Sequence, residues 1–262
     1  MNAKESAEIQ RIQFNNMSEG YSNAVDNIKA KYFRWLVYKE FFRNTSFQKT
    51  IENSQKLSVL EAMCGIGSGR MVLESVFGSI DIDYDGFDYS DEIIKIAKKK
   101  NPEYHFFQQD INDFSTDKEY DIILLLSGLH HVPDNAGQVM KNLQKYLKPG
   151  GYFISIEPTF NNKVAQFICN RVYKHSKFYD YKTERRFSLE ELNCFFSEAG
   201  YSIEKQIYPG LFAYLLWFFN PYPWLLKIGN MNTVKFLYRM EHRLYSNWFG
   251  RKFSIATFTI LH

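Results

Sequence analysis

Val59-Leu-Glu-Ala-Met-Cys-Gly-Ile-Gly-Ser-Gly-Arg70 decides the reading of this chain. A short apolar run, Leu57 to Ala62, stops in glycines at 65, 67 and 69, and a helix-like stretch, Gly69 to Phe77, follows. Glycine lets a backbone turn tightly and approach a ligand, and a helix placed behind it offers unpaired amides at its N-terminus. The same rhythm continues downstream. Strands are expected at Ile82–Phe87, Tyr104–Gln108, Asp121–Leu126 and Tyr152–Ile156, with helices at Asp91–Lys100 and Asn135–Leu147 between them. Strands alternating with helices predict an α/β fold with a parallel sheet between helical layers.

Local chemistry supports these boundaries. Ser90 is placed as a helix N-cap, with Asp91 and Glu92 in the first turn where the helix dipole favours negative charge. The unbroken run Ile122-Ile-Leu-Leu-Leu126 suits a strand covered on both faces. Lys148-Pro-Gly-Gly151 closes the preceding helix. After Glu157-Pro158 the rhythm loosens, and residues 159 to 187 are polar, basic and aromatic without a clear strand. Ser188 followed by Glu191 reads as a capping box for a helix that stops at Gly200. A sixth strand is expected at Tyr201–Ile207 and a seventh at Phe253–Leu261. The expected fold is a Rossmann-like, seven-stranded, mostly parallel sheet with helices on both faces. The parts are a helical N-terminal cap (1–56), the core (57–207), an aromatic helical insertion (208–252) and the final strand (253–262).

Composition excludes several classes. With 262 residues, 45% hydrophobic and 23% charged, the chain has enough apolar material for one sizeable core and is neither disordered nor fibrous. A net charge of +3 is too balanced to make nucleic acid a default partner. The three cysteines, Cys64, Cys169 and Cys194, have no paired spacing, which argues against disulfides and zinc knuckles and for a reducing cytoplasm. The polar N-terminus is not a signal sequence, and the longest clean apolar run, Leu211 to Phe219, is nine residues, too short to span a bilayer. Aromatics are abundant, at 18%, so rings must be buried, stacked on a ligand or set against an apolar partner.

Two ligand classes use a glycine turn between strand and helix: dinucleotides and S-adenosylmethionine. The dinucleotide fingerprint needs a third glycine at position 70, where Arg70 stands. At these residues the chain resembles the class I S-adenosylmethionine-dependent methyltransferases. Their first motif appears as Glu61-Ala-Met63-Cys-Gly65-Ile-Gly67, with Met63 in the place of a glycine. Gly86-Phe-Asp88-Tyr-Ser90, Gln109-Asp-Ile111 and Leu147-Lys-Pro-Gly-Gly151 follow in the family's order. Ser127-Gly-Leu-His-His-Val-Pro-Asp134 is similar to the segment after the fourth strand in the ubiquinone and menaquinone biosynthesis methyltransferases.

The resemblance implies S-adenosylmethionine as cofactor, no metal, and a cofactor site of Glu61, Ala62, Gly65, Gly67, Asp88, Tyr89, Asp110, Ile111 and Ser127. Asp88 would bind the ribose hydroxyls and Asp110 the adenine amino group. Tyr89 and Ile111 would flank the adenine, and Glu61 would orient the amino acid tail, directly or through water. His131, and after it His130, is the candidate general base, because both follow a central strand at the edge where open parallel sheets bind ligands. Packing and pocket shape are the plainer roles for the two histidines. Asp88 and Asp110 would otherwise be a helix-terminal acid and a turn residue, and Cys64 reads as a buried small side chain. Asn220-Pro-Tyr-Pro223 reads as a loop turn.

The acceptor side lies in 1–56, 159–187 and 208–252. The insertion reads either as a cap packed on the sheet or on a second copy in a homodimer, or as an interfacial element or pocket for a hydrophobic or lipid-linked small-molecule acceptor. Lys227, Lys235, Arg239, Arg243, Arg251 and Lys252 would suit an anionic membrane, placing the chain at the inner face of one, or else would simply face water. The run Lys182 to Arg186 would meet a phosphate or solvent. Two other readings stand beside methyl transfer: a catalytically silent scaffold of the same fold, and a dinucleotide-dependent oxidoreductase.

Overall fold

A computed structural model of the chain describes residues 8, 11–12, 27–162, 166–167, 171, 184–218 and 223–262. Most of the expected helical stretch before residue 27, most of the loop 159–187 and the turn residues 220–222 lie outside the described residues. The sheet contains β1 (Leu57–Ala62), β2 (Ile82–Asp88), β3 (His105–Gln108), β4 (Tyr120–Leu126), β5 (Leu147–Phe160), β7 (Ile203–Ile207) and β8 (Ala256–Leu261). Their spatial order is β3-β2-β1-β4-β5-β8-β7, and a two-residue strand, β6 (Phe187–Ser188), pairs with β5 off this path. Strands β1 to β5 run parallel, and β8 runs antiparallel to both β5 and β7. The mostly parallel, Rossmann-like sheet expected from the sequence is therefore present, with β6 as an addition.

The uniform hydrophobicity of β4 has a direct cause. Ile122 and Leu124 enter the core on one face of the sheet, while Ile123 and Leu125 enter the core on the other. Side chains alternate along a strand, so a strand buried on both faces has no polar phase. Ser90 caps Asp91–Lys100 as expected, its hydroxyl accepting from the Ile93 amide at 3.2 Å. Two expectations are corrected. Lys148-Pro-Gly-Gly151 is not a closing loop, because β5 already begins at Leu147 and Leu147 pairs with Tyr120. The capping box at Ser188 is half formed: Ser188 Oγ accepts from the Glu191 amide, but the Glu191 carboxylate is taken by Arg185 at 2.7 and 3.0 Å.

Helices Ile28–Phe42 and Ser46–Asn53 form the described part of the N-terminal cap. They meet the inner face of the insertion around β8. Fully buried Phe258 lies 5.5 Å from the Phe41 ring and 5.4 Å from the Phe218 ring, with Tyr38 and Tyr214 beside it. Helix Phe212–Trp217 is short, and it buries Ala213, Tyr214, Leu216 and Trp217 while leaving Phe212 and Leu215 outside. Its inward face thus packs on the core, Trp217 against Phe33 at 5.9 Å.

Phe258→Ala should remove the ring that joins cap, insertion and last strand. The expected loss is about 3–5 kcal/mol of unfolding free energy in urea titration. A loss below about 1 kcal/mol would show that this cluster does not hold the three parts together.

Candidate active site

The site forms where β1, β2 and β4 release the chain at their carboxyl ends. Each exit needs backbone geometry that ordinary residues avoid. Met63, Gly65, Gly67 and Ser127 all have positive φ, at 52°, 52°, 75° and 62°. Glycine accepts this at Gly65 and Gly67; Met63 and Ser127 carry strain that the surrounding fold must hold. A Cβ at Gly67 would meet Phe106 at 2.6 Å, whereas one at Gly65 would meet nothing within 4 Å. Open space therefore stands over Gly65. Met63, where the motif's glycine is replaced, keeps the left-handed turn and turns its side chain toward Gly128.

Carboxylates collect the amides these turns expose. Glu61 Oε1 accepts from the Gly69 amide at 2.8 Å, and its other oxygen accepts from the Tyr84 hydroxyl. Asp88 accepts from the Gly65 and Ser90 amides, each at 3.0 Å. Asp110 Oδ1 accepts from the amide and side chain of Asn112, capping the short turn Ile111–Asp113. Glu157, at the end of β5, accepts from the amides of Gly128, Leu129 and His130 at 3.0, 2.8 and 3.3 Å, and shares a 3.0 Å hydrogen bond with His130 Nδ1. Burial pushes the carboxyl of Glu61 up to about 8 and that of Glu157 up to about 8, against the opposing pull of these amides. Burial also raises Asp88.

An open cleft lies between these elements. Of the residues expected to bind cofactor, Glu61, Gly65, Asp88, Tyr89, Asp110, Ile111 and Ser127 line it, and so does His131. Ala62, Gly67 and His130 do not. Ala62 is fully buried in the core, Gly67 faces Phe106, and His130 stands behind His131 with its ring 4.0 Å away. Sequence reading missed Arg11, Ser68, Ile93, Leu126 and Val132 as lining residues. Arg11 comes from far upstream and is held by Glu8 and Asp91, at 2.6 and 3.0 Å. Cys64 lines the cleft, but burial raises its thiol well above the usual range, which makes it a poor nucleophile.

The histidine end of the cleft is buried, which disfavours charge on both imidazoles. Burial, followed by the nearby Arg186 guanidinium, lowers His130 to about 3. Burial, followed by His130, lowers His131 well below the ordinary histidine range. His131 Nδ1 lies 3.5 Å from Glu184 Oε1. Glu184 and Arg186 are themselves buried, so these two members of the basic run 182–186 do not face water. His130, His131 and Glu184 bring one ligand atom each within 4.8 Å of one another, a spacing that could hold a cation. The positive charge of Arg186 opposes one there.

The cleft suits an adenosine-bearing cofactor on its own geometry. It offers an acid at the end of β2, an apolar wall at Ile111, a ring at Tyr89 and clear space over Gly65. Comparisons with known proteins agree. Residues 59–151 match a family described as a methyltransferase domain. A ubiquinone biosynthesis O-methyltransferase of Rickettsia conorii is 26% identical over 169 residues, 56% of this chain and 56% of that one. A phthiotriol/phenolphthiotriol dimycocerosates methyltransferase of Mycobacterium tuberculosis is 30% identical over 110 residues, 41% of this chain and 40% of that one. The chain thus spans about half the length, or less, of these two curated relatives. A chain in a solved complex with the Haloferax volcanii Trm112 methyltransferase activator shares the fold at a TM-score of 0.60 and 16% identity, over 96% of each chain.

Glu157 generates a pH prediction. Its folded pKa lies above the ordinary 4.5, so the folded state holds its proton more tightly than the unfolded state does. That contribution is complete below the ordinary value and is lost as pH rises to about 8. Glu157→Gln keeps an acceptor oxygen and cannot ionise. Urea midpoints should therefore shift in favour of the variant across this window, because Glu61 contributes equally to both proteins. A constant difference between the two would show that Glu157 ionises freely in the folded state.

Proposed function

We propose, from the premise that residues 59–151 form a class I, S-adenosylmethionine-dependent methyltransferase domain, that this chain transfers a methyl group to a small hydrophobic acceptor. The observation that carries the reading is the convergence of Asp88, the open space over Gly65 and the His131 wall on one cleft. S-adenosylmethionine, when bound, supplies an electrophilic methyl group on a sulfonium.

The chain's own residues then have separable tasks. Asp88, already anchored by two backbone amides, presents its remaining acceptor capacity to the ribose hydroxyls. Asp110 and Ile111 hold the adenine edge, and Tyr89 gives it a ring face. Glu61 acts from beneath the turn: its oxygens are engaged by Gly69 and Tyr84, so it sets the loop that receives the amino acid tail. Direct displacement at a methyl carbon depends mainly on alignment of the acceptor, which the walls of the cleft supply. His131 is the residue we assign to accept a proton when the acceptor must lose one: it lines the cleft, and Glu184 Oε1, 3.5 Å from its Nδ1, would offset the burial that disfavours the imidazolium. His130 and Glu157 position the 128–131 turn from behind.

The acceptor class rests on the insertion, which among the described residues contributes no lining residue to the cleft itself, and on the relatives. The insertion supplies aromatic surface beside the carboxyl edge of the sheet. The names of the two curated relatives refer to ubiquinone biosynthesis and to phthiotriol dimycocerosates. Both observations support a hydrophobic or lipid-linked molecule.

Calorimetry with S-adenosylmethionine tests the cofactor site. Asp88→Ala should weaken binding by at least about tenfold, the effect of losing one or two charge-assisted hydrogen bonds, and should also lower the unfolding midpoint, because the Gly65 and Ser90 amides lose their acceptor. Unchanged affinity would remove Asp88 from the site. Release of S-adenosylhomocysteine in the presence of quinol-like acceptors tests transfer. His131→Ala should lower turnover by about a hundredfold or more while leaving cofactor affinity nearly unchanged. Cofactor binding with no release for any acceptor would favour the silent scaffold.

A further inference from the structure

The outward side of the 208–253 region has a composition unlike the rest of the surface. Among the described residues, nine of the fourteen exposed large apolar side chains lie between Phe212 and Phe253. Phe212, Trp224, Phe236, Met240 and Trp248 are each more than half exposed. The elements that carry them are in contact. Helix Phe212–Trp217 touches both the turn Pro223–Lys227 and helix Met231–Glu241, and helix Trp248–Phe253 touches the turn His242–Leu244.

The charges are equally one-sided. Lys227, Lys235, Arg239, Arg243, Arg251 and Lys252 are all exposed. The region's single acid, Glu241, is buried, and both its oxygens accept from the Ala213 amide, at 3.0 and 3.1 Å. Every exposed charge between 208 and 253 is therefore positive. Cations and rings are interleaved at close range: Lys252 Nζ lies 4.8 Å from the centre of the Trp248 ring.

We propose that this face docks on an anionic lipid bilayer. Exposed aromatic and methionine side chains enter the headgroup boundary, while the lysines and arginines meet lipid phosphates. No described helix is long and apolar enough to cross a membrane, so the contact lies in the plane of the interface. A second copy of the chain fits less well, because a two-fold contact through this face would set the same six cations against one another.

The position of the face gives the docking a use. Its last element ends at Phe253, and the chain enters β8 at Ala256, which pairs with Pro158. The Thr159 amide donates to Ile255 O at 3.0 Å. Next to them stands Glu157, which holds the 128–130 turn and His130. The region therefore joins the sheet beside the strand whose Glu157 holds one wall of the cleft, so docking would bring the carboxyl edge of the sheet toward the bilayer. That use rests on the methyl transfer proposed above; the docking does not.

Flotation of the full chain with vesicles tests the docking without any turnover. The chain should float with phosphatidylcholine containing phosphatidylglycerol, remain behind with phosphatidylcholine alone, and be released by high salt. The pair Lys235→Glu and Arg239→Glu should weaken binding by at least about tenfold, since each cation near an anionic surface is worth about fivefold. The pair Phe236→Ser and Trp248→Ser should weaken it at low salt as well, with unchanged thermal unfolding because both side chains are exposed. Absence of flotation with the phosphatidylglycerol-containing vesicles would overturn the proposal, as would binding by both variant pairs equal to that of the unaltered chain. A dimer in sedimentation that Phe236→Ser and Trp248→Ser converts to monomer would assign the face to a second copy instead. Transfer to a water-soluble acceptor should persist in the surface variants, which separates this proposal from the enzymatic one.

Discussion

Backbone amides freed at the carboxyl ends of the strands have to be satisfied away from bulk water, and carboxylates from the strands themselves do this. Glu61 of β1 receives Gly69, Asp88 of β2 receives Gly65 and Ser90, and Glu157 of β5 receives three amides in succession. An unpaired buried amide costs about 1–3 kcal/mol, so these acids hold the turns in place as firmly as apolar packing does. The left-handed residues Met63, Gly65, Gly67 and Ser127 make those turns sharp enough to leave a cleft between them. Remove the carboxylates and the strained turns lose what holds them, and the cleft loses its shape.

The same burial sets the electrical character of the site. Acids are pushed toward their protonated forms and histidines toward neutrality, because little water reaches them. His131 lines the cleft with Glu184 beside it, whereas His130 stands behind it against Glu157, where the Arg186 guanidinium adds to the burial that lowers it.

The insertion divides its roles by face. Inward, Tyr214 and Trp217 join Phe258 and Phe33 in the core beneath the N-terminal helix. Outward, the exposed rings and cations remain. The inward side meets the expectation of a cap packed on the core, and the outward side carries the surface from which the interfacial reading is proposed. A composition this aromatic supports both, since a short amphipathic segment buries one side and presents the other.

The sequence alone determined the strand–helix alternation, the both-faces burial of β4 and the cleft positions Gly65, Asp88, Tyr89, Asp110 and Ile111. These are local features: a side-chain period, a cap, a glycine where the chain turns, an acid at a strand end. Tertiary structure decided the rest. Ala62 and Gly67 belong to the motif but do not line the cleft: Ala62 lies in the core, and Gly67 sits where a Cβ would strike Phe106. Glu157 and Glu184 reach the histidines from segments far along the chain, so no spacing in the sequence announces them. Which rings of 208–253 stay exposed likewise depends on how its short elements pack on one another and on helix Ile28–Phe42, a contact that no local pattern announces.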